Sequence, residues 1–245
     1  MQNKKFLESV FLRKSPPPGE YYSRLPAVRY LAAGNRLSFP APVTLFVGEN
    51  GTGKSTLLEA IAVAAGFNAE GGSRHVRFST ASTQSALYNC LNLSRGGYPR
   101  DGFFLRAESL YNLASYLDGM DDPAALDAYG GVSLHEQSHG ESFLSLVNNR
   151  FGGQGLYLLD EPEAALSPMR QMSLLALIHR LAGEGSQFII ATHSPILMTC
   201  PGACIYQFDE GGVRQVDYRE TEHFQLTKRF LNDPQRMLTL LLEED

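Results

Sequence analysis

The sequence predicts an α/β fold built on a central, mainly parallel β-sheet. Three short apolar runs indicate strands of this sheet: Val43–Val47 (VTLFV), Gly155–Asp160 (GLYLLD) and Gln187–Thr192 (QFIIAT). Unbroken apolar runs of this length are typical of parallel strands covered by helices on both faces. A helix is predicted after each of the first two runs, at Thr56–Ala65 and Pro168–Ala182.

A small antiparallel β region is predicted before the first central strand. The run Phe6–Leu12 (FLESVFL) has strand character, and the proline-rich segment Ser15–Gly19 ends it. The span Tyr21–Pro42 is aromatic and rich in turn residues, which favours short antiparallel strands over a helix.

Residues 68–100 are the least regular part of the sequence, and we expect the range 67–135 to form a helical lobe. Within it, Gly102–Ala107 (GFFLRA) predicts a strand and Ser109–Leu117 a helix. Several basic side chains give the first half of this range local positive charge, and they are Arg74, His75, Arg77, Arg95 and Arg100. Both a solvated loop and a contact surface for phosphates or a partner fit this composition.

The second half of the chain predicts a helix at Ser142–Asn149 and then the two later central strands. A hairpin is expected from Cys204–Phe208 and Val213–Tyr218, joined by a glycine-containing turn. Two helices, separated near Asn232–Pro234, are expected to complete a C-terminal helical tail over 211–245.

Composition excludes several classes of protein. The 245 residues contain 43% hydrophobic residues, which suits a globular domain with a sizeable core. The formal net charge of −5 gives no bulk electrostatic attraction to nucleic acid or to an anionic membrane. No apolar run approaches the roughly 18 residues of a membrane-spanning helix. The three cysteines make no disulfide framework, so a cytoplasmic location is expected.

A phosphate-binding loop follows the first central strand. The spacing Gly48-x-x-x-x-Gly53-Lys54-Ser55 is that of the P-loop, in which backbone N–H groups and a helix N-terminus cradle phosphates. Glycines allow the backbone to approach an anion closely. The lysine then contacts the β- and γ-phosphates, and the serine hydroxyl binds Mg²⁺. The predicted nucleotide-binding residues are Gly48, Glu49, Asn50, Gly51, Thr52, Gly53, Lys54, Ser55 and Thr56.

Two acidic residues end the strand LYLLDEPE. Asp160 is placed at the carboxyl end of a buried strand, where it can bind Mg²⁺ directly or through water. Glu161 follows it and can orient or deprotonate an attacking water molecule. Pro162 ends the strand.

Four motifs in this order, GENGTGKST, SHGES, LLDEPEAALSP and ATHSP, resemble those of ABC-type P-loop ATPases. The similarity is greatest to the heads of the SMC and RecF kind and to compact stand-alone bacterial proteins called AAA family ATPases. It covers roughly residues 5 to 210. The chain has no heptad repeat between the first two motifs, so the long coiled-coil arms of SMC proteins are not expected.

The resemblance implies roles for further residues. Ser138, Gly140 and Glu141 match the signature loop, which contacts the γ-phosphate held by the opposite subunit, although His139 replaces a glycine of the family pattern. His193 matches the switch histidine that contacts the γ-phosphate. Glu108 lies where the family has a glutamine and is a candidate Mg²⁺ ligand. Residues 164–167 match the D-loop. The candidates for stacking on adenine are Tyr21, Tyr22 and Tyr30, with the cations Arg13 and Lys14.

One motif competes with this interpretation. His135-Glu136-x-x-His139 has the spacing of zinc metalloproteases, in which all five residues must be helical. The signature loop instead requires Ser138 to precede a helix. The other histidines, including His179 and His223, are expected to be ordinary surface or core residues.

These observations predict one ATPase domain over 1–245, with 1–66 and 150–210 as its nucleotide-binding core and the signature loop at the end of the 67–135 lobe. The catalytic residues expected are Lys54, Glu161 and His193, with ATP and Mg²⁺ as ligands. The resemblance implies a head-to-tail homodimer closed by ATP, acting as a switch in DNA repair or phage defence, with an effector protein or nucleic acid as a further partner. A slow-turnover regulatory binding module and a transporter ATPase subunit are the alternatives.

Overall fold

A computed structural model describes residues 5–73, 85–106, 114–115 and 134–242. Seven strands form its central sheet, and they are β3 Val43–Gly48, β4 Gly72–Ser73, β6 Asp101–Arg106, β7 Gly155–Asp160, β8 Gln187–Ala191, β9 Cys204–Asp209 and β10 Gly212–Val216. Their order across the sheet is β10-β9-β3-β8-β7-β6-β4. The strands from β9 to β6 are mutually parallel, and β10 and β4 pair antiparallel at the two edges. The predicted mainly parallel α/β fold is confirmed.

A second, antiparallel sheet contains β1 Leu7–Leu12, β2 Leu37–Ser38 and β5 Leu91–Arg95, in the order β2-β1-β5. It is fastened to the central sheet by the buried side chain of Gln187. The Oε1 atom of Gln187 accepts hydrogen bonds from the N–H groups of Phe6 and Leu7, both at 2.9 Å. Its Nε2 atom donates to the Leu7 carbonyl oxygen at 2.8 Å.

The span Tyr21–Pro42 differs from the prediction of small antiparallel strands. It contains a 3₁₀ turn at Tyr21–Arg24 and a helix, α1, at Pro26–Ala32, with only the short strand β2 after them. Pro26 at the first helical position fixes a suitable φ and has no N–H to leave unpaired. Ala27, Val28 and Leu31 then form one buried face. Three buried apolar residues on one side of a seven-residue helix form too short a pattern to be recognised from hydrophobic periodicity.

Five further helices are described, and three of them cover the central sheet together with α1. The five are α2 Lys54–Ala65, α3 His139–Arg150, α4 Pro168–Gly183, α5 Glu222–Asn232 and α6 Pro234–Leu242. One core layer packs α3 and α4 against one face of the sheet. The other packs α1, α2 and the small sheet against the opposite face. Because both faces are covered, every residue of β3, β7 and β8 is buried.

Within the range 67–135, the described residues contribute β4, β5 and β6 to the two sheets. The predicted helix at Ser109–Leu117 lies mostly outside the described residues. In the C-terminal range, β10 precedes the two tail helices, which separate at Asp233 as predicted. No residue of α5 or α6 is buried within their described spans. No described helix is both long and apolar enough to cross a membrane.

Candidate active site at the carboxyl ends of three adjacent strands

Three neighbouring parallel strands, β3, β8 and β7, end at the same edge of the central sheet. The P-loop follows β3, the segment ATHSP continues from β8, and Asp160 closes β7. Because strand order brings these ends side by side, residues far apart in sequence become neighbours. Ligands of open parallel sheets bind at this edge.

Gly48 begins the P-loop in a conformation that a larger residue does not tolerate. Its φ is +136°, and an added Cβ atom lies 2.1 Å from the carbonyl oxygen of Phe208 on β9. Gly51 and Gly53 also have positive φ values, of +82° and +95°. Helix α2 then starts at Lys54 without a side-chain cap. Its first-turn N–H groups are therefore available to an anion, as a phosphate site requires.

Lys54 is almost completely buried, with 3% of its surface exposed. Its Nζ atom donates to the carbonyl oxygens of Gly48 at 2.7 Å and Glu49 at 2.9 Å, within the loop itself. Burial lowers the pKa of Lys54, whereas Glu161 and then Asp160 raise it. A buried cation held beside a glycine loop fits a polyphosphate ligand.

The P-loop is held by one hydrogen bond within the loop and by another from α1. Thr52 Oγ1 donates to the Glu49 carbonyl oxygen at 2.8 Å. The Ala27 N–H of α1 donates to the Thr52 carbonyl oxygen at 3.2 Å. Among the adenine candidates, Tyr22 is a core residue at 1% exposure, whereas Tyr21 is exposed at 61%.

Asp160 lies at the end of β7 with 6% of its surface exposed. The Arg106 Nε atom lies 3.4 Å from its Oδ2, and Arg106 Nη1 also pairs with Glu59 at 2.9 Å. Ser55 is in the first turn of α2. A hydroxyl and a carboxylate are hard oxygen donors, and a pair of protein ligands completed by phosphates is the usual way that Mg²⁺ binds. The residues present therefore fit Mg²⁺.

Glu161 has an unusual backbone, with φ 48° and ψ 52° in the left-handed region. A non-glycine residue in that region stores strain of about 1–3 kcal/mol and is often found at functional sites. Its N–H donates to the Ala191 carbonyl oxygen of β8 at 2.9 Å, which holds the turn. The side chain is 43% exposed, and Oε1 lies 3.6 Å from His193 Nε2.

His193 is anchored by Glu163, a residue that sequence reasoning does not single out. The Glu163 carboxylate accepts hydrogen bonds from Thr192 Oγ1, at 2.8 Å, and from the His193 N–H. Thr192 Oγ1 also accepts from the Ser194 N–H at 3.0 Å. Burial raises the pKa of Glu163. The sequence does offer a signal for Glu163, because it is the second glutamate of the motif DEPE, which begins at the last residue of β7.

His223, at the start of α5, is a second residue that contacts His193 and that the sequence analysis does not single out. Its Nε2 lies 2.9 Å from His193 Nδ1. The sequence predicts only an ordinary histidine there. The pKa of His193 is lowered by burial first, and then by Lys54 and His223. These contacts leave His193 Nε2 directed at Glu161.

The segment matched to the signature loop begins α3, with Ser138 as the N-cap. Glu141 Oε2 accepts from the Ser138 N–H at 3.1 Å and from Ser138 Oγ at 2.5 Å. Arg170 of α4 donates to Ser138 Oγ at 3.4 Å and to Glu141 Oε1 at 3.1 Å. An added Cβ at Gly140 would lie 2.8 Å from the Ala165 carbonyl oxygen, which explains the glycine. These partners belong to the loop, the D-loop segment and α4.

The zinc-protease alternative requires one continuous helix through residues 135–139. Instead, His135 and Glu136 lie in a 3₁₀ turn, Ser138 is extended, and a separate helix starts at His139. His135 Nε2 is within 3.0 Å of Ser115 Oγ. The backbone therefore supports a loop before a helix. Glu108, the remaining predicted metal ligand, lies outside the described residues.

Two family profiles match segments of the chain, and each segment includes part of the site. An "AAA domain" profile matches residues 27–92, which include the P-loop. A profile described as "AAA domain, putative AbiEii toxin, Type IV TA system" matches residues 132–199, which include the SHGES, DEPE and ATHSP segments.

Curated relatives are distant and longer. The ribose import ATP-binding protein RbsA of Jannaschia sp. (strain CCS1) is 26% identical over 194 residues, covering 69% of this chain and 36% of that protein. The galactose/methyl galactoside import ATP-binding protein MglA of Salmonella typhimurium is 26% identical over 212 residues, covering 73% of this chain and 40% of that protein. The chain thus spans two fifths or less of the length of these relatives.

Solved structures with partial likeness include the SMC head domain from Thermotoga maritima, at 15% identity and a TM-score of 0.45 over 86% of this chain and 98% of that one. CbiO1 from Clostridium perfringens, part of the ABC transporter complex cbiONQ, has 20% identity and a TM-score of 0.44 over 85% of this chain and 90% of that one. The two AAA-domain matches fall on the two halves of the site that forms at the ends of β3, β7 and β8.

Proposed function

We propose that this chain binds ATP with Mg²⁺ and hydrolyses it to ADP and phosphate. The observation that carries the proposal is the convergence of Lys54, Glu161 and His193 at three adjacent strand ends, with Glu161 held in a strained left-handed turn. The convergence supplies a cation for the phosphates, a carboxylate for the attacking water and a second polar contact for the γ-phosphate.

In this proposal, the loop Gly48–Thr56 surrounds the phosphates with backbone N–H groups, and Lys54 leaves its loop carbonyls to contact the β- and γ-phosphates. Ser55 and Asp160 hold Mg²⁺, with Glu108 as a further ligand. When bound, Mg²⁺ neutralises developing negative charge on the phosphate oxygens. Glu161 accepts a proton from the attacking water, and His193 donates a hydrogen bond to a γ-phosphate oxygen.

The site is proposed to be completed by a second copy of the chain. Ser138, Gly140 and Glu141 are held by α4 and the D-loop segment, and their contacts involve no P-loop residue among the hydrogen bonds described for them. Near them, Met169 and Met172 are exposed at 69% and 46% one helical turn apart on α4. An exposed apolar pair beside the N-terminus of α3 suits an interface that closes over nucleotide. A two-fold pair then forms two composite sites.

Substitutions at Lys54 and Glu161 test the chemistry. Lys54→Ala is expected to abolish ATP binding. Glu161→Gln is expected to keep binding and to lower hydrolysis by on the order of 10²-fold or more, the scale of a general base. Binding is measured with a fluorescent ATP analogue and hydrolysis by phosphate release. Wild-type turnover by Glu161→Gln contradicts the assignment.

Mixing two inactive variants tests the composite site. Ser138→Arg is expected to bind ATP but neither to dimerise with it nor to hydrolyse it. Mixed with Lys54→Ala, it should regain part of the activity, because one site of the mixed pair combines an intact P-loop with an intact signature loop. Full hydrolysis by Ser138→Arg alone rules out the composite site.

For the biological role, we propose an ATP-dependent switch that serves DNA repair or phage defence through an effector. A second candidate, a transporter ATPase subunit, is favoured by the similarity to two import ATP-binding proteins. Affinity capture with Glu161→Gln and ATP, against Lys54→Ala as control, distinguishes them. A nuclease or DNA-associated partner supports the first role, and an integral membrane partner supports the second.

A further inference from the structure

The contact between His193 and His223 joins the γ-phosphate side of the site to the C-terminal helices. The Nδ1 atom of His193 and the Nε2 atom of His223 are 2.9 Å apart. The ring centroids are separated by 4.9 Å with an interplanar angle of 63°. Such a geometry corresponds to a hydrogen bond between ring nitrogens and not to stacked rings. The proposed hydrolysis mechanism assigns no role to His223.

The position of His223 is fixed by its own helix cap. Thr221, which has no exposed surface, is the N-cap of α5, and its Oγ1 accepts from the Phe224 N–H at 3.4 Å. The same hydroxyl donates to the Tyr218 carbonyl oxygen at 2.6 Å and lies 3.5 Å from Met198 Sδ. The first turn of α5 is therefore anchored to the segment that follows His193. Beyond this turn, α5 is solvated.

The surroundings of His193 determine which of its nitrogens carries the proton. Its Nε2 lies 3.6 Å from Glu161 Oε1 and has no hydrogen-bond partner among the described residues. An ionised carboxylate and a phosphate oxygen are both acceptors, so a nitrogen directed at them needs a hydrogen. The lowered pKa of His193, caused first by burial, favours the neutral ring, which has only one N–H. Its Nδ1 must then accept.

We propose that His223 is a positioning residue, whose Nε2–H donates to His193 Nδ1 and thereby holds His193 as the Nε2–H tautomer directed at the γ-phosphate. The proposal rests on the ATPase function proposed above. It makes the first turn of the C-terminal helices part of the nucleotide site, so that a displacement of α5 changes the orientation of His193. The alternative is that the two rings only pack together.

Nitrogen NMR of the nucleotide-free protein tests the tautomer directly. Long-range ¹H–¹⁵N spectra distinguish a protonated from an unprotonated ring nitrogen, and His193→Gln identifies the resonance of His193. The proposal expects a bare Nδ1 and a protonated Nε2 in the wild type, and tautomer averaging in His223→Leu. His223→Gln, whose amide can also donate, should restore the Nε2–H form. The matched control is His179→Leu, on the exposed face of α4.

Kinetics give a second readout. Losing one orienting hydrogen bond worth about 1 kcal/mol corresponds to a roughly fivefold lower rate. We therefore expect kcat of His223→Leu to fall between about threefold and tenfold, with a smaller change in KM. His223→Gln should recover most of that loss. In a His193→Ala background, His223→Leu should cause no further loss, because both substitutions remove the same contact.

Three results overturn the proposal: a protonated Nδ1 on His193 in the wild type, equal rates for the Gln and Leu variants, or full additivity with His193→Ala. A thermal melt of His223→Leu shows whether its lower activity comes from unfolding. If it does, the test is the tautomer of His193, compared between the wild type and His223→Gln. If the wild-type protein hydrolyses no ATP, the proposed function fails. The spectra then still show whether His223 fixes the tautomer.

Discussion

Glu163 offers the sharpest test of how the loop after β8 is held. Its carboxylate is the common acceptor for Thr192 Oγ1 and the His193 N–H. We therefore consider Glu163→Ala, which removes both bonds, and Glu163→Gln, which keeps the shape and one acceptor. Glu210→Ala, in the exposed turn between β9 and β10, is the matched control.

The expected magnitude follows from the partners left behind. A buried donor without an acceptor costs about 1–3 kcal/mol, and Glu163→Ala leaves two such donors. Water can reach the partly exposed loop, so we expect a loss near the lower end, about 2–4 kcal/mol in the free energy of unfolding. Glu163→Gln should lose about 1 kcal/mol, since its amide can donate to Thr192 Oγ1 while its oxygen accepts from His193.

The pH dependence has a defined sign. Burial raises the pKa of Glu163 above its ordinary value of 4.5, so the folded state binds this proton more tightly than the unfolded state does. The resulting stabilisation is complete below pH 4.5 and is lost as the pH rises through the folded-state pKa. Glu163→Gln cannot titrate. The stability advantage of the wild type over Glu163→Gln should therefore be larger at pH 4.5 than at about pH 7.

Urea unfolding followed by circular dichroism at both pH values measures these differences. ATP hydrolysis should fall on the order of tenfold in Glu163→Ala, because His193 loses its backbone anchor. If Glu163→Ala unfolds within about 0.5 kcal/mol of the wild type, as expected for an ordinary surface change such as Glu210→Ala, the anchoring role is refuted. A wild-type advantage that grows with rising pH contradicts the assignment of the raised pKa.

Three more predictions concern other parts of the site and its supports. Gly48→Ala should destroy nucleotide binding, measured by calorimetry, because the added methyl group collides with the Phe208 carbonyl oxygen at 2.1 Å. Arg170→Met should change the unfolding free energy by about 1 kcal/mol or less, since its ion pair with Glu141 is exposed, yet should weaken ATP-dependent dimerisation in gel filtration. Tyr157→Phe should cost about 1–3 kcal/mol in urea unfolding, because the Gly152 N–H loses the hydroxyl that it contacts at 2.7 Å.

The central strands and the P-loop could be predicted because the signal for each is local. A strand such as β8 is apolar along nearly its whole length, and the loop before α2 has fixed spacing. Because the central strands are parallel, their carboxyl ends lie at one edge of the sheet. Asp160 and Glu161 are therefore expected at the same edge as Lys54, without knowledge of any side-chain contact. Their proposed chemical roles remain predictions.

The features that the sequence does not reveal depend on contacts between distant segments. His223 is one histidine near a helix start in the sequence, and it becomes notable only because α5 returns to the loop after β8. Helix α1 is not predicted because it is stabilised by packing on the face of the central sheet that α2 also covers, and its own sequence pattern is weak. Identifying Glu163 requires knowledge of where the backbone N–H of His193 points.

Gln187 has a consequence for how the chain unfolds. Its single amide occupies three main-chain groups of the segment at Phe6 and Leu7, as a neighbouring strand would. Gln187 lies on β8 of the large sheet and is 2% exposed in the folded chain, and peeling the Phe6–Leu7 segment away breaks all three of these hydrogen bonds at once. We therefore expect the amide hydrogens of Phe6 and Leu7 to exchange with solvent more slowly than those of an unpaired edge strand.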